Sequence, residues 1–79
     1  MSPTIFRAGG FRFYFFSREE HRMHVHVHCG RGEAKFWLEP KIELAQNCGM
    51  IARQLRTAQT LIEEHSDEIC NAWQKHFRH

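Results

Sequence analysis

Two stretches of this chain alternate between polar and apolar positions, His24-Val25-His26-Val27-His28 throughout and Glu33-Ala34-Lys35-Phe36-Trp37-Leu38 as far as Phe36, with Cys29-Gly30-Arg31-Gly32 between them. A period of two marks half-buried strands, because successive side chains leave opposite faces of the pleat. Gly30 at the first central position meets the requirement of a type II′ turn for a residue that tolerates positive φ. The pattern therefore predicts a β-hairpin of strands 24–29 and 33–38 closed by Cys29 and Gly32. Val27 then pairs with Ala34 and Val25 with Phe36 on one face; His28 with Glu33, His26 with Lys35 and His24 with Trp37 on the other. A slip of one residue would set the valines opposite charged side chains, so the register is specified by the sequence itself.

Upstream, the β-rich runs at 4–7 and 11–16 flank Ala8-Gly9-Gly10 and predict a second hairpin. Turning on the two glycines pairs Phe6 with Phe13, Thr4 with Phe15 and Arg7 with Arg12. That arrangement gives an apolar face of Phe6, Ala8, Phe11, Phe13 and Phe15 and an opposite face of Ile5, Arg7, Arg12 and Tyr14. The polar stretch 17–23 is the loop between the hairpins. Downstream, Pro40 in a first turn and Gly49 as a stop predict a short helix over 41–47. Ile51, Leu55, Ala58 and Ile62 follow a 3.6-residue period and predict a helix over 50–64. Ser66, as N-cap, opens a third over 67–78, with Asp67 and Glu68 in its first turn and Lys75 and His76 near its end. The expected fold is one α+β domain: a four-stranded antiparallel sheet, made of two β-hairpins, followed by two or three helices packed on one face. Its expected core is Phe6, Phe13, Phe15, Val25, Val27, Phe36, Leu38, Leu55, Ile62, Ile69 and Trp73.

The chain has 79 residues, and its seven Phe, two Trp and one Tyr compensate for the small core such a length allows. Three cysteines, Cys29, Cys48 and Cys70, with no CxxC pair, fit reduced thiols and a cytoplasmic protein better than a secreted scaffold. Cys48 and Cys70 read as small buried hydrophobes. No segment approaches the roughly 18 apolar residues of a membrane span, and the start lacks a signal-peptide pattern. Charge is unevenly placed. Residues 1–38 hold six Lys and Arg against three Glu, and the remainder five against six acids, so the first half is the anion-facing half.

The residues Pro3-Thr4-Ile5-Phe6-Arg7, Gly9-Gly10-Phe11-Arg12-Phe13, His24-Val25-His26-Val27, Ala34-Lys35-Phe36-Trp37-Leu38 and Trp73 resemble domain-of-unknown-function family 4160, small proteins of bacteria and archaea, over nearly the whole chain. The resemblance implies a compact stand-alone domain, often encoded beside another small protein in the manner of toxin–antitoxin pairs, and it assigns no catalytic residue. The chain departs from the family pattern at Arg22-Met23, where prolines are common, and at Met50-Ile51, where a helix-capping Ser-Pro is common.

Three chemistries use the histidine-bearing face. Residues i and i+2 on a strand lie roughly 6.5 Å apart, so His24 and His26, with His28, Glu33 or His21 as a third ligand, could approach an ion that takes nitrogen at about 2.0–2.1 Å. Zinc is the default for imidazole-rich coordination, and no cofactor is required by the sequence. In the second reading, Arg7, Arg12 and Lys35 hold an anion or the phosphates of RNA while exposed Tyr14 and Trp37 stack bases. A hydrolase or ribonuclease on this face would use His24 and His26 for proton transfer, Lys35 and Arg12 for phosphate charge and Glu33 as the orienting carboxylate. In the third, the face docks a partner protein, the product of a neighbouring gene, through Trp37. The expectation is a two-component, toxin–antitoxin-like module acting through protein–protein contacts and RNA binding, with no membrane partner.

Overall fold

The structure, a computed structural model, describes residues 4–15 and 22–77. Pro3, the expected strand end at Phe16, most of the inter-hairpin loop with His21, and the chain end at Arg78 and His79 lie outside the described residues. The elements in chain order are β1 (Thr4–Ala8), β2 (Phe11–Tyr14), β3 (His24–Cys29), β4 (Gly32–Trp37), β5 (Glu43–Cys48), α1 (Ala52–Glu64) and α2 (Ser66–Phe77). The sheet runs β1-β2-β3-β4-β5, every neighbouring pair antiparallel.

The β3–β4 hairpin has the register that alternation dictates, from His24 opposite Trp37 through to Cys29 opposite Gly32. Gly30 takes φ 61° while Arg31 stays at negative φ, as a type II′ turn requires. In the first hairpin Phe6 faces Phe13 and Arg7 faces Arg12 as expected, but Thr4 pairs with Tyr14 rather than Phe15. A bulge at Ile5 absorbs the extra residue, and Ile5 packs against the core instead of joining the arginine face.

The sheet has five strands, not four, because the segment expected as a helix over 41–47 is strand β5. Glu43, Leu44, Ala45 and Gln46 favour helix locally and show no alternation, because an edge strand with exposed side chains has no buried face to encode. Pairing with β4 overrides that preference. A register shift between Lys35 and Phe36 leaves Ala45 as the extra residue on β5.

One face of the sheet carries the core. Phe13, Phe15, Val25, Val27, Phe36, Ile62 and Ile69 are almost wholly buried there, with Trp73, Phe11, Ala34, Met50 and Ala58. Phe6, Leu38 and Leu55 of the expected core are partly buried against this cluster. Both helices supply its lower layer. Their junction is a single residue: the His65 N–H donates to the Leu61 carbonyl to end α1, and the His65 carbonyl accepts from Ile69 N–H to start α2. The cap of α2 is thus His65 rather than Ser66, and the His65 ring bonds the Glu68 carboxylate at 3.1 Å.

The crossing from sheet to helices is fixed at Gly32. Asn47 accepts from the Met50 N–H at 3.1 Å and donates to the Met50 carbonyl at 3.0 Å, turning the chain through Gly49 at φ 90°. This turn lies directly against Gly32: a Cβ there would stand 2.5 Å from Met50 Cγ and 2.9 Å from the Gly49 backbone. Gln54 then accepts from the Ile51 N–H at 3.1 Å, satisfying one of the open donors at the start of α1. Gly32→Ala should cost about 1–3 kcal/mol, the usual range for overpacking, because the backbone on the far side cannot swing away. Urea unfolding of the variant tests this, and a midpoint equal to that of wild type would refute the close approach.

Candidate functional site

The helices cover one face of the sheet, and the register places a set of chemically active side chains on the other. Successive strands align them in cross-sheet rows. Arg7, Arg12, His28, Glu33 and Cys48 form one row; Tyr14, His26, Lys35 and Gln46 a second; His24, Trp37 and Glu43 a third. The face thus contains every residue that the sequence put forward as catalytic, anion-binding or metal-binding among those described. It adds Glu43, Gln46, Cys48 and Arg22, which the sequence does not single out. The first three are hidden by the helical reading of β5, and Arg22 precedes the alternating run.

The two aromatic rings of this face are not bare. The Arg12 guanidinium lies 4.5 Å from the Tyr14 ring centre, and the His26 ring stacks on Tyr14 at 5.5 Å. Arg22 and Lys35 stand over Trp37, at 4.1 and 4.6 Å. The Arg12, Arg22 and Lys35 contacts each hold a cation against the negative face of a π system. Tyr14 is consequently buried, only 3% exposed, and not the exposed stacking platform expected; Trp37 is half-buried. Lys35 is itself buried, 9% exposed. Arg12 is braced by a 2.8 Å hydrogen bond from its Nε to Thr4 Oγ1, and Arg22 by one of 3.1 Å to the Glu39 carbonyl.

His24 sits beneath the surface, wholly buried. Its ring meets Trp73 and His26 edge-on at 5.2 Å each and Trp37 at 5.9 Å. Nδ1 lies 2.7 Å from the Arg22 carbonyl oxygen, which can only accept, so the proton of this ring nitrogen is fixed there. The buried imidazole ties the start of β3 to the chain before it. His26 and His28 are partly exposed, so the two histidines assigned to proton transfer differ in access. Among the described residues no group of three His, Cys, Asp or Glu side chains converges on a point where an ion would sit. Three alternate positions on one strand span roughly 13 Å, well beyond the reach of bonds about 2 Å long to a single ion.

An open groove of about 390 Å³ runs beside His26, Glu33, Lys35, Gln46 and Cys48. Cys48 is exposed here rather than buried, while Cys70, on α2, is partly buried. Burial first, then Asp67 and Glu39, push the Cys70 thiol above its ordinary range and keep it protonated.

Tyr14 donates its hydroxyl proton to Glu33 Oε2 at 2.9 Å, joining β2 to β4 across β3. Its ionisation is pushed up to about 12, by burial first and then by the hydrogen bond and negative charge of Glu33, against a smaller opposing effect of Arg12. A raised folded-state value means that the native protein keeps this proton when the unfolded chain has lost it. Stability should therefore fall as pH rises from about 10 to about 12. Tyr14 is the single tyrosine of the chain, so ultraviolet absorbance follows it directly. Glu33→Gln should lower the midpoint yet leave it above 10, because burial remains; a wild-type midpoint at 10 would contradict this environment.

No helix among the described residues is long and apolar enough to cross a membrane. None of the curated proteins or solved structures compared with the chain matches it. A family model described as Domain of unknown function (DUF4160) matches residues 10–74, from the turn of the first hairpin to the residue after Trp73, and the chain belongs to that family.

Proposed function

We propose that this protein is the binding member of a two-component, toxin–antitoxin-like pair in the cytoplasm, and that the open face of its sheet docks an acidic, extended segment of the partner protein. The observation that carries this reading is the set of cations clamped over Tyr14 and Trp37. Rings already covered by guanidinium and ammonium groups offer charge to a partner, not a bare π surface. Arg7 and Arg22 are exposed, and the hydrogen bond to the Glu39 carbonyl holds Arg22 in place, so little of its side-chain entropy is lost when an acidic group arrives. The mild excess of positive charge in residues 1–38 falls largely on this face.

Single-stranded RNA is the second reading, since the row from Arg7 through Arg12 to His28 presents cations across neighbouring strands in a way a phosphate backbone could follow. The covered rings remove the stacking that usually accompanies such binding. A hydrolytic role has less support, because His24 is buried beneath Trp37 and Trp73.

Calorimetric titration with a polyglutamate peptide and with a single-stranded RNA of equal charge, at one salt concentration, separates the readings. Polyglutamate should bind the wild type more tightly than RNA does. The exposed pair Arg7→Glu and Arg22→Glu should weaken polyglutamate binding roughly tenfold or more, about 1.4 kcal/mol, with circular dichroism unchanged. Tighter binding of RNA would transfer the function to the second reading, and heat from neither ligand would sink both.

A further inference from the structure

We infer that β5 pairs antiparallel with β5 of a second copy of this chain, joining two sheets into one of ten strands. The argument begins at the edge. Among the described strands β5 has β4 as its only neighbour, so half of its backbone N–H and C=O groups point outward. Edge strands in isolated sheets are usually short or carry Lys or Pro. This one has six residues, as many as the central strands β3 and β4, and a single charge, Glu43, at its start. Each edge has one bulge, at Ile5 in β1 and at Ala45 in β5, but the opposite edge, β1, is shorter and carries Arg7 within it.

Apolar surface is concentrated at the same edge. Leu44 and Ile51 are the exposed large hydrophobic residues among those described, at 41% and 56%. One lies within β5 and the other begins α1 just beyond it. Leu44 pairs with Phe36, whose ring is in the core, and so sits on the helix side of the sheet. A two-fold axis between Ala45 and Gln46 uses all six residues of β5. It sets Glu43 opposite Cys48 of the second copy, Leu44 opposite Asn47 and Ala45 opposite Gln46, and no like charges meet. Antiparallel pairing carries each Leu44 toward the strand end from which Ile51 follows in the other copy, twice by symmetry, as an isologous contact demands.

The axis stands perpendicular to the sheet, so both polar faces remain on one side and both helix layers on the other. The groove beside His26, Glu33, Gln46 and Cys48 is lined by β5 itself, through Gln46 and Cys48. The second copy supplies the strand that continues its floor, and the two grooves become one.

Sedimentation equilibrium over a wide concentration range tests the pairing, together with amide hydrogen exchange of β5. The wild type should approach twice the 9.5 kDa mass of the chain, with the β5 amides protected. Leu44→Lys with Ile51→Lys, both at exposed positions, should leave circular dichroism intact, return the mass to that of one chain and speed β5 exchange at least tenfold. A wild type that is monomeric at every concentration overturns the inference whatever the variant does. A dimer that survives both substitutions with β5 amides still exchanging freely overturns it as well.

Discussion

The alternation across the β3–β4 hairpin is the constraint on which the rest of the molecule depends. Once Gly30 turns the chain and Cys29 meets Gly32, Val25, Val27, Ala34 and Phe36 must all face one way, and His24, His26, His28, Glu33, Lys35 and Trp37 the other. The first set can be buried only if something covers it, and α1 and α2 do so through Ala58, Ile62, Ile69 and Trp73. The second set lines the other face, where His24 is nonetheless buried against Trp37 and Trp73. Core and candidate site are two sides of one register, so no shift of the hairpin could improve one without destroying the other.

The covering helices reach their place through a passage with no spare room. Gly32 closes the hairpin and also admits the turn at Gly49 and Met50, so a residue belonging to the middle of the sheet controls where the helical layer begins. The side chain of Asn47 holds that turn from the β5 side. Because β5 leads straight into it, the edge strand fixes the start of α1 as well as extending the sheet. That double duty accounts for a strand whose own side chains bury so little.

These differences in physical encoding explain what could be read from the sequence. The β3–β4 register was legible to the residue because alternation and a glycine with positive φ leave one solution. The two long helices were legible from their 3.6-residue stripes, although the last begins one residue early, at Ser66. Strand β5 was not legible: Glu43 to Gln46 carry helix-favouring residues, and the force that makes them a strand comes from β4, distant in the chain. The bulge at Ile5 was hidden for a similar reason, since nothing local distinguishes Thr4 opposite Tyr14 from Thr4 opposite Phe15. For the candidate site, the membership of the face followed from alternation, but access did not. Whether His24 and Tyr14 are reachable depends on Trp73 from the last helix and on Arg12 and His26 from neighbouring strands.

That difference between position and access bears on the chemistry of the polar face. A sheet in a two-layer domain needs a cover on only one side, and its second face is normally a solvated surface. Here the second face has a thin cover of its own, in which Tyr14 and Trp37 are roofed by Arg12, Arg22 and Lys35 and cross-linked through Tyr14 to Glu33. The cations stabilise the rings, and the rings hold the cations in fixed positions. A ligand that pulled a cation away would have to replace a π contact and, for Arg12, a hydrogen bond to Thr4. Arg22 is held in the same way, against the Trp37 ring and by the Glu39 carbonyl. The same layer therefore withdraws the aromatic faces from stacking and fixes where the positive charge of Arg12 and Arg22 stands.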